Sequence, residues 1–338
     1  MLKTCSLLSL LCACGGSGGD PTTTGTDASV AADVLQRNDG AVINPEAGAD
    51  GGPDGAVLVG CKQTLAGSHV FSCNGLDVTV TAPASCLTQT CGAILDIHGL
   101  GMSADAEDDQ TNLRAAGNTA GYVVVQPTAP DGRTVYGPTW YDSDDDDVWN
   151  SYMQVVTSWK IDPKRIHATG FSQGGFMTWR LLCKHSDVLA SAAPGAAGTS
   201  NCPQQDVIGS CPFTGNQTPK PLDVLFVAGA KDVLVPPSCT SAMVSAVTNA
   251  WGGQKQSIVG DASFTRDRYI GTAGYDFEVL THQYTTDPIG KLAQLGGHCV
   301  PGATGKNGSI WDDLYCKLPV SFTWGKEVLA FFQAHPKH

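Results

Sequence analysis

The sequence predicts an α/β fold: a mostly parallel central sheet with helices on both faces, preceded by an N-terminal antiparallel hairpin. Three observations carry this reading. Short apolar runs recur along the chain, as strands buried on both faces require. Helical stretches fall between them. A turn-centred segment of alternating residues comes before them all.

The hairpin is HVFSCNGLDVTVTAP. Asn74-Gly75 marks its turn, and Val78 and Val80 alternate with Asp77, Thr79 and Thr81. Strand-like runs follow at 93–99, 121–127, 165–172, 188–194 and 221–229. A helix is expected over 149–160, where Tyr152, Val155, Val156 and Trp159 share one face. Three more are expected: GGFMTWRLLCKHS after Ser172, SCTSAMVSAVTNAWG after Pro236-Pro237, and GKEVLAFFQAH near the end.

The chain of 338 residues carries three expected segments. Residues 1–14 read as an export signal, with Lys3, an apolar run from Leu7 to Leu11, and then small residues. That run is too short to span a bilayer permanently. Leu11-Cys12-Ala13-Cys14 resembles a bacterial lipoprotein box, which makes Cys14 the expected lipidated residue. The alternative is an ordinary secretory cleavage nearby, and both readings export the chain. Residues 15–58 are rich in Gly, Asp, Ala, Thr and Pro, without an aromatic residue. Such a segment cannot bury enough apolar surface to offset its ordering entropy, so a disordered tether is expected. Residues 59–338 suit one large catalytic domain. The net charge of −12 argues against a nucleic-acid partner.

Of 13 cysteines, Cys5, Cys12 and Cys14 lie in the export segment. The other ten form an even set in an exported chain, which reads as disulfides. Spacing suggests Cys61–Cys73, Cys86–Cys91, Cys202–Cys211 and Cys299–Cys316, leaving Cys183 for Cys239. Zinc is disfavoured, because no two close Cys-x-x-Cys pairs occur.

Two Gly-x-Ser-x-Gly matches are present. The one at Ser17 lies in the tether with no strand before it and no helix after. The one at Ser172 follows the strand RIHAT and precedes the helix GFMTWRLLCKH. A nucleophile elbow needs that order of strand, sharp turn and helix. Gly170 and Gly174 would keep side chains out of the strand–helix contact. Ser172 would then stand at a helix N-terminus, where backbone N–H groups favour developing negative charge.

A serine hydroxyl is a weak nucleophile. It needs a histidine to take its proton and a carboxylate to fix that histidine's tautomer. His298 is the expected base, because it lies in the glycine loop LAQLGGHCVPG. His185 falls on the helix after the elbow, His282 within a strand, and His335 and His338 at the tail. Asp232 is the expected acid, on the loop after the run ending at Gly229. Asp223 precedes that run and so belongs at the opposite sheet edge. Asp206 and Asp261 lie in poorly patterned stretches. The oxyanion-hole donors are expected to be the backbone N–H groups of Gln173 and Leu100, with His98 bracing the early loop.

With these pieces in view, the chain resembles the extracellular poly(3-hydroxybutyrate) depolymerase and feruloyl esterase group of the α/β-hydrolase superfamily. IHGLGMSAD is similar to that group's oxyanion loop. The stretch from Asp146 to Gly198, which includes Asp-Pro-x-Arg, the elbow and Cys183, matches a continuous block. FVAGAKDVLVP, GGHCVPG and EVLAFFQAH are similar to the acid loop, the histidine loop and the closing helix. The resemblance implies an α/β-hydrolase fold and carboxylic ester hydrolysis. Two departures stand out. Leu100 replaces a frequent Cys, and Gln173 replaces a frequent Ala or Asn. GFSQGG with HGLG is also similar to carboxylesterases and acyl thioesterases.

The expected function is therefore a secreted or lipid-anchored serine esterase acting on a polyhydroxyalkanoate-type polyester or its oligomers. The alternative substrate is a feruloylated or acetylated plant polysaccharide. A non-catalytic binding protein on the same fold is the reading from another class. No cofactor and no catalytic metal are expected, and the chain is expected to be a monomer that meets a membrane only through its lipid. The run Asp144 to Asp147 suits either calcium or the dipole of the helix that follows. Trp140 and Trp149 suit either the active-site cleft or the core.

Overall fold

The computed structural model describes residues 57–198, 202, 211, 213, 218–271, 274–286, 295–303, 315–317 and 319–338. The expected export signal, Cys14, nearly all of the expected tether and Asp206 lie outside the described residues. No described helix is long and apolar enough to cross a membrane.

The chain runs β1 (Leu58–Val59), β2 (Gly67–Cys73), β3 (Leu76–Ala82), β4 (Cys91–Ile97), α1 (Ala104–Thr111), α2 (Leu113–Thr119) and β5 (Tyr122–Thr128). It continues through α3 (Asp145–Ser158), β6 (Ile161–Phe171), α4 (Gln173–His185), β7 (Ser191–Gly195) and β8 (Asp223–Gly229). It ends with α5 (Pro237–Trp251), β9 (Gly253–Gly260), β10 (Phe264–Gly271), β11 (Asp276–His282) and α6 (Trp324–Ala334). One sheet takes all the strands in the order β1-β2-β3-β5-β4-β6-β7-β8-β11-β10-β9. The six strands from β5 to β11 pair in parallel, and β2, β3, β10 and β9 extend the edges antiparallel. This is the α/β-hydrolase fold.

The central strands are apolar throughout because both their faces are covered. Every residue of β4 and of β8 is buried. Alternate residues feed two separate cores: Leu95, Val125 and Phe226 pack with Trp179 and Trp251, whereas Ile94, Val124 and Leu225 pack with Trp324 and Phe332.

The edge strands β9 and β10 escape the sequence reading. β10 reads FTRDRYIG, and ion pairs hold it in place of an apolar stripe. Arg266 pairs with Glu278 and Glu327, Arg268 with Asp276, and Lys255 with Asp267. Cross-strand charge pairs support a sheet that hydrophobic periodicity does not reveal.

Five disulfides join the ten cysteines expected to pair. Cys61–Cys73, Cys86–Cys91 and Cys299–Cys316 follow the expectation. The other two correct it: Cys183 bonds Cys211, and Cys202 bonds Cys239, with Cα separations of 5.8 and 4.7 Å. The exchange has a physical reason. Cys183 ends α4 and Cys239 opens α5, so each takes one cysteine of the segment connecting β7 to β8. Closing a short local loop is not the governing term, because loop-closure entropy grows only slowly with length.

The acidic run that opens α3 is engaged by arginine and lysine. Asp144 pairs with Arg133, the buried Asp145 takes the Arg180 guanidinium through both its oxygens, and Asp146 meets Lys184. Asp144 also accepts from the Tyr141 backbone N–H at 2.8 Å. These bonds give Asp144, Asp145 and Asp146 partners within the chain. Trp140 and Trp149 are both buried, and Trp149 stacks on His185 at 3.9 Å.

Candidate active site

The elbow is built from close backbone contacts. A side-chain carbon at Gly170 would lie 2.6 Å from the Ile97 carbonyl oxygen, and one at Gly174 would lie closer still. Both glycines therefore let β6 and α4 press against the end of β4. Ser172 between them has φ 53° and ψ −117°, a conformation costing about 1–3 kcal/mol for a non-glycine residue. The surroundings over-determine it: the Ser172 N–H donates to Gly195 O at 2.9 Å, and α4 begins with the next residue. Gly174→Ala is expected to destabilise the fold by about 3 kcal/mol or more through overpacking. Urea or thermal unfolding measures this, and an unchanged midpoint would refute the packing argument.

The structure brings Ser172, His298 and Asp232 into one hydrogen-bonded line. His298 Nε2 lies 2.9 Å from Ser172 Oγ, and His298 Nδ1 lies 2.8 Å from Asp232 Oδ2. An ionised carboxylate only accepts, so Nδ1 carries the proton and Nε2 presents a lone pair to the hydroxyl. Asp232 is itself held, its Oδ1 accepting from Leu234 N at 2.9 Å and Val235 N at 2.8 Å. His298 and Asp232 are both buried, which strengthens the pair electrostatically.

The residues around His298 show why its loop is glycine-rich. Gly297 N donates to Lys231 O at 2.7 Å, and a side-chain carbon at Gly297 would lie 2.8 Å from Asp232 N. Gly296, at φ 58°, bridges Asp232. The histidine loop and the acid loop thus meet backbone to backbone. Cys299–Cys316 fixes the residue after the histidine.

The turn after β4 forms the facing wall. His98 is fully buried, and burial pushes its imidazole down to about 4. It accepts the Ala129 N–H at Nε2 at 3.0 Å, so Nδ1 donates to Gly99 O at 2.6 Å. This neutral histidine braces the turn, as expected. A side-chain carbon at Gly99 would lie 3.5 Å from Ser172 Cβ, so the turn passes directly over the serine. Among the described residues, neither the Leu100 N–H nor the Gln173 N–H has a backbone acceptor.

The Gln173 side chain does more than sequence reasoning assigned it. Its Oε1 accepts from Trp140 N and its Nε2 donates to Trp140 O, both at 2.9 Å. Trp140 Nε1 in turn donates to His98 O at 3.1 Å. The Gln173 amide thus ties the 129–141 loop to the elbow, and the Trp140 indole ties it to the turn after β4. Alanine lacks that amide, which gives the departure at position 173 a physical meaning. Gln173→Ala keeps the backbone N–H but loses both bonds, and a stability loss of about 1–3 kcal/mol is expected on thermal unfolding. An unchanged midpoint would count against the clamp.

The other histidines stand apart from this line. His282 is buried at the end of β11, and burial holds it down to about 4 although Asp232 pulls the other way. His335 and His338 pair with Asp223, at the opposite edge of the sheet from Asp232. Asp261 lies in an exposed turn, where its Oδ1 accepts from Ser263 N.

No family model matches the chain. A bifunctional acetylxylan esterase/xylanase of Neocallimastix patriciarum is 26% identical over 47% of this chain and 22% of its own length. Feruloyl esterase B of Piromyces equi is 36% identical over 29% of this chain and 19% of its own length. Poly(3-hydroxyalkanoate) depolymerase C of Paucimonas lemoignei is 32% identical over 32% of this chain and 28% of its own length. The chain thus spans less than a third of the length of each of these relatives.

Proposed function

We propose that this chain is a carboxylic ester hydrolase working through Ser172, His298 and Asp232. The observation that carries the proposal is the line of short hydrogen bonds from a strained serine through histidine to a buried carboxylate. Ser172 Oγ attacks the ester carbonyl carbon as its proton passes to His298 Nε2. The resulting oxyanion is held by the N–H groups of Gln173 and Leu100. The tetrahedral intermediate collapses, the carbon–oxygen bond to the alcohol breaks, and His298 returns its proton to the departing oxygen. Water then attacks the acyl-enzyme by the same route and releases the acid.

Two substrate classes each have a supporting observation. A hydroxyalkanoate polyester or its oligomers fits the depolymerase relative. A feruloyl or acetyl ester on plant polysaccharide fits the other two relatives. Hydroxyacid release from polyester, set against ferulate or acetate release from xylan, separates them. The five disulfides support work in an oxidising compartment outside the cytoplasm, with residues 1–14 as the export signal and residues 15–58 as tether.

The deciding experiment is labelling with a fluorophosphonate probe. A single adduct mapped to Ser172 is expected. A folded, oxidised sample that gave no adduct would favour a non-catalytic binding role.

A further inference from the structure

Asp96 and Glu107 form a buried carboxyl pair that the proposed reaction does not use. Asp96 lies in β4, two residues before His98, and Glu107 projects inwards from α1. Both are 0% exposed. Asp96 Oδ2 accepts from Thr111 Oγ1 at 3.0 Å and from Gln126 Nε2 at 2.7 Å. Asp96 Oδ1 and both oxygens of Glu107 meet no N–H or O–H donor in good geometry. Asp96 acts directly on Glu107 and raises it. Carboxylates are acceptors only, so two buried carboxyls with three oxygens lacking a donor favour a proton on one of them.

The surroundings favour keeping that proton. Burial raises Asp96 to about 6 and Glu107 well above its ordinary value. Asp108 on α1 raises both further, whereas Arg114 on α2 opposes this at Asp96. On α6, which packs against α1 and α2, Glu327 is turned to Arg266. The Gly99 backbone favours charge on Glu107, and it belongs to the same segment that passes over Ser172.

We infer that Asp96 and Glu107 share a single proton, and that this singly charged pair is a positioning element locking α1 to β4 and so holding the 98–100 turn over Ser172. Loss of the proton to solvent leaves two like charges facing each other in a fully buried site. They separate, and the turn moves with them. The kinetic consequence rests on the esterase reading above; the shared proton does not.

Two measurements on the full, oxidised protein test this. The first is the infrared difference spectrum of wild type minus Glu107→Gln at neutral pH. The expected result is a carbonyl band of a protonated carboxylic acid that shifts in D2O. Its absence overturns the shared proton, whatever the turnover. The second is kcat and KM on p-nitrophenyl acetate across neutral and alkaline pH. Glu107→Leu leaves Asp96 without its donor and is expected to lose about ten- to a hundredfold in kcat, with KM nearly constant. Glu107→Gln supplies an N–H donor that cannot ionise. It is expected to recover most of that loss and to lack the alkaline decline of the wild type. An identical alkaline limb in Glu107→Gln, or wild-type kcat in a folded Glu107→Leu, overturns the positioning role. If wild type hydrolyses no ester and takes no adduct at Ser172, the esterase reading falls, and the infrared band still decides the proton.

Discussion

Ser172→Ala is expected to lose ester turnover by about 10⁴- to 10⁶-fold while keeping its fold. The serine oxygen is the atom that would bond to the acyl carbon, 2.9 Å from the nitrogen that would take its proton. No other hydroxyl is hydrogen-bonded to His298 among the described residues. The elbow's geometry comes from Gly170, Gly174 and the Ser172 N–H bond to Gly195, none of which the substitution removes. Initial rates on p-nitrophenyl esters and thermal unfolding together check the result. A variant with wild-type rates would remove Ser172 from the mechanism. A variant that unfolds early would show that the hydroxyl has a structural role.

The second large effect is expected at Asp232→Asn, a drop of about 10⁴-fold in kcat at neutral pH. The tautomer of His298 is what the substitution changes. Leu234 N and Val235 N both donate to one carboxylate oxygen. An asparagine would turn its carbonyl oxygen to those two donors and leave its NH2 facing His298 Nδ1. That forces the imidazole proton onto Nε2, where a donor rather than a lone pair would face Ser172. Shape and burial hardly change, so the unfolding midpoint should stay close to wild type. Full activity in this variant would mean that the carboxylate does not set the tautomer.

The elements that position the candidate site were legible because they obey simple rules. The runs at 93–99 and 221–229 are apolar without alternation, as double burial demands, and they became β4 and β8. Ser172, His298 and Asp232 could be chosen by element context, and the structure brings these three side chains together. What escaped was held by polar pairing across sequence distance. β10 is supported by arginine–carboxylate pairs. The inner face of α1 carries Glu107, Gln110 and Thr111, so no apolar stripe announced it. One signal was available: Asp96 interrupts the apolar run of β4, and a charge inside a doubly covered strand requires a partner. The Cys183–Cys211 and Cys202–Cys239 pairing likewise depends on where α4 and α5 end and begin, which spacing alone does not specify.

Cys299–Cys316 anchors the loop that carries His298 of the candidate site. Its half-cystine is the residue next to His298, and two more bonds tie the segment between β7 and β8 to α4 and α5. While thiols stay reduced, the loop carrying the histidine lacks its covalent anchor. A chain newly made in a reducing cytoplasm would carry the candidate site on an unanchored loop. Oxidation would then act as a maturation step. For recombinant production this means that yield of active sites should track oxidative folding capacity, not the amount of soluble chain.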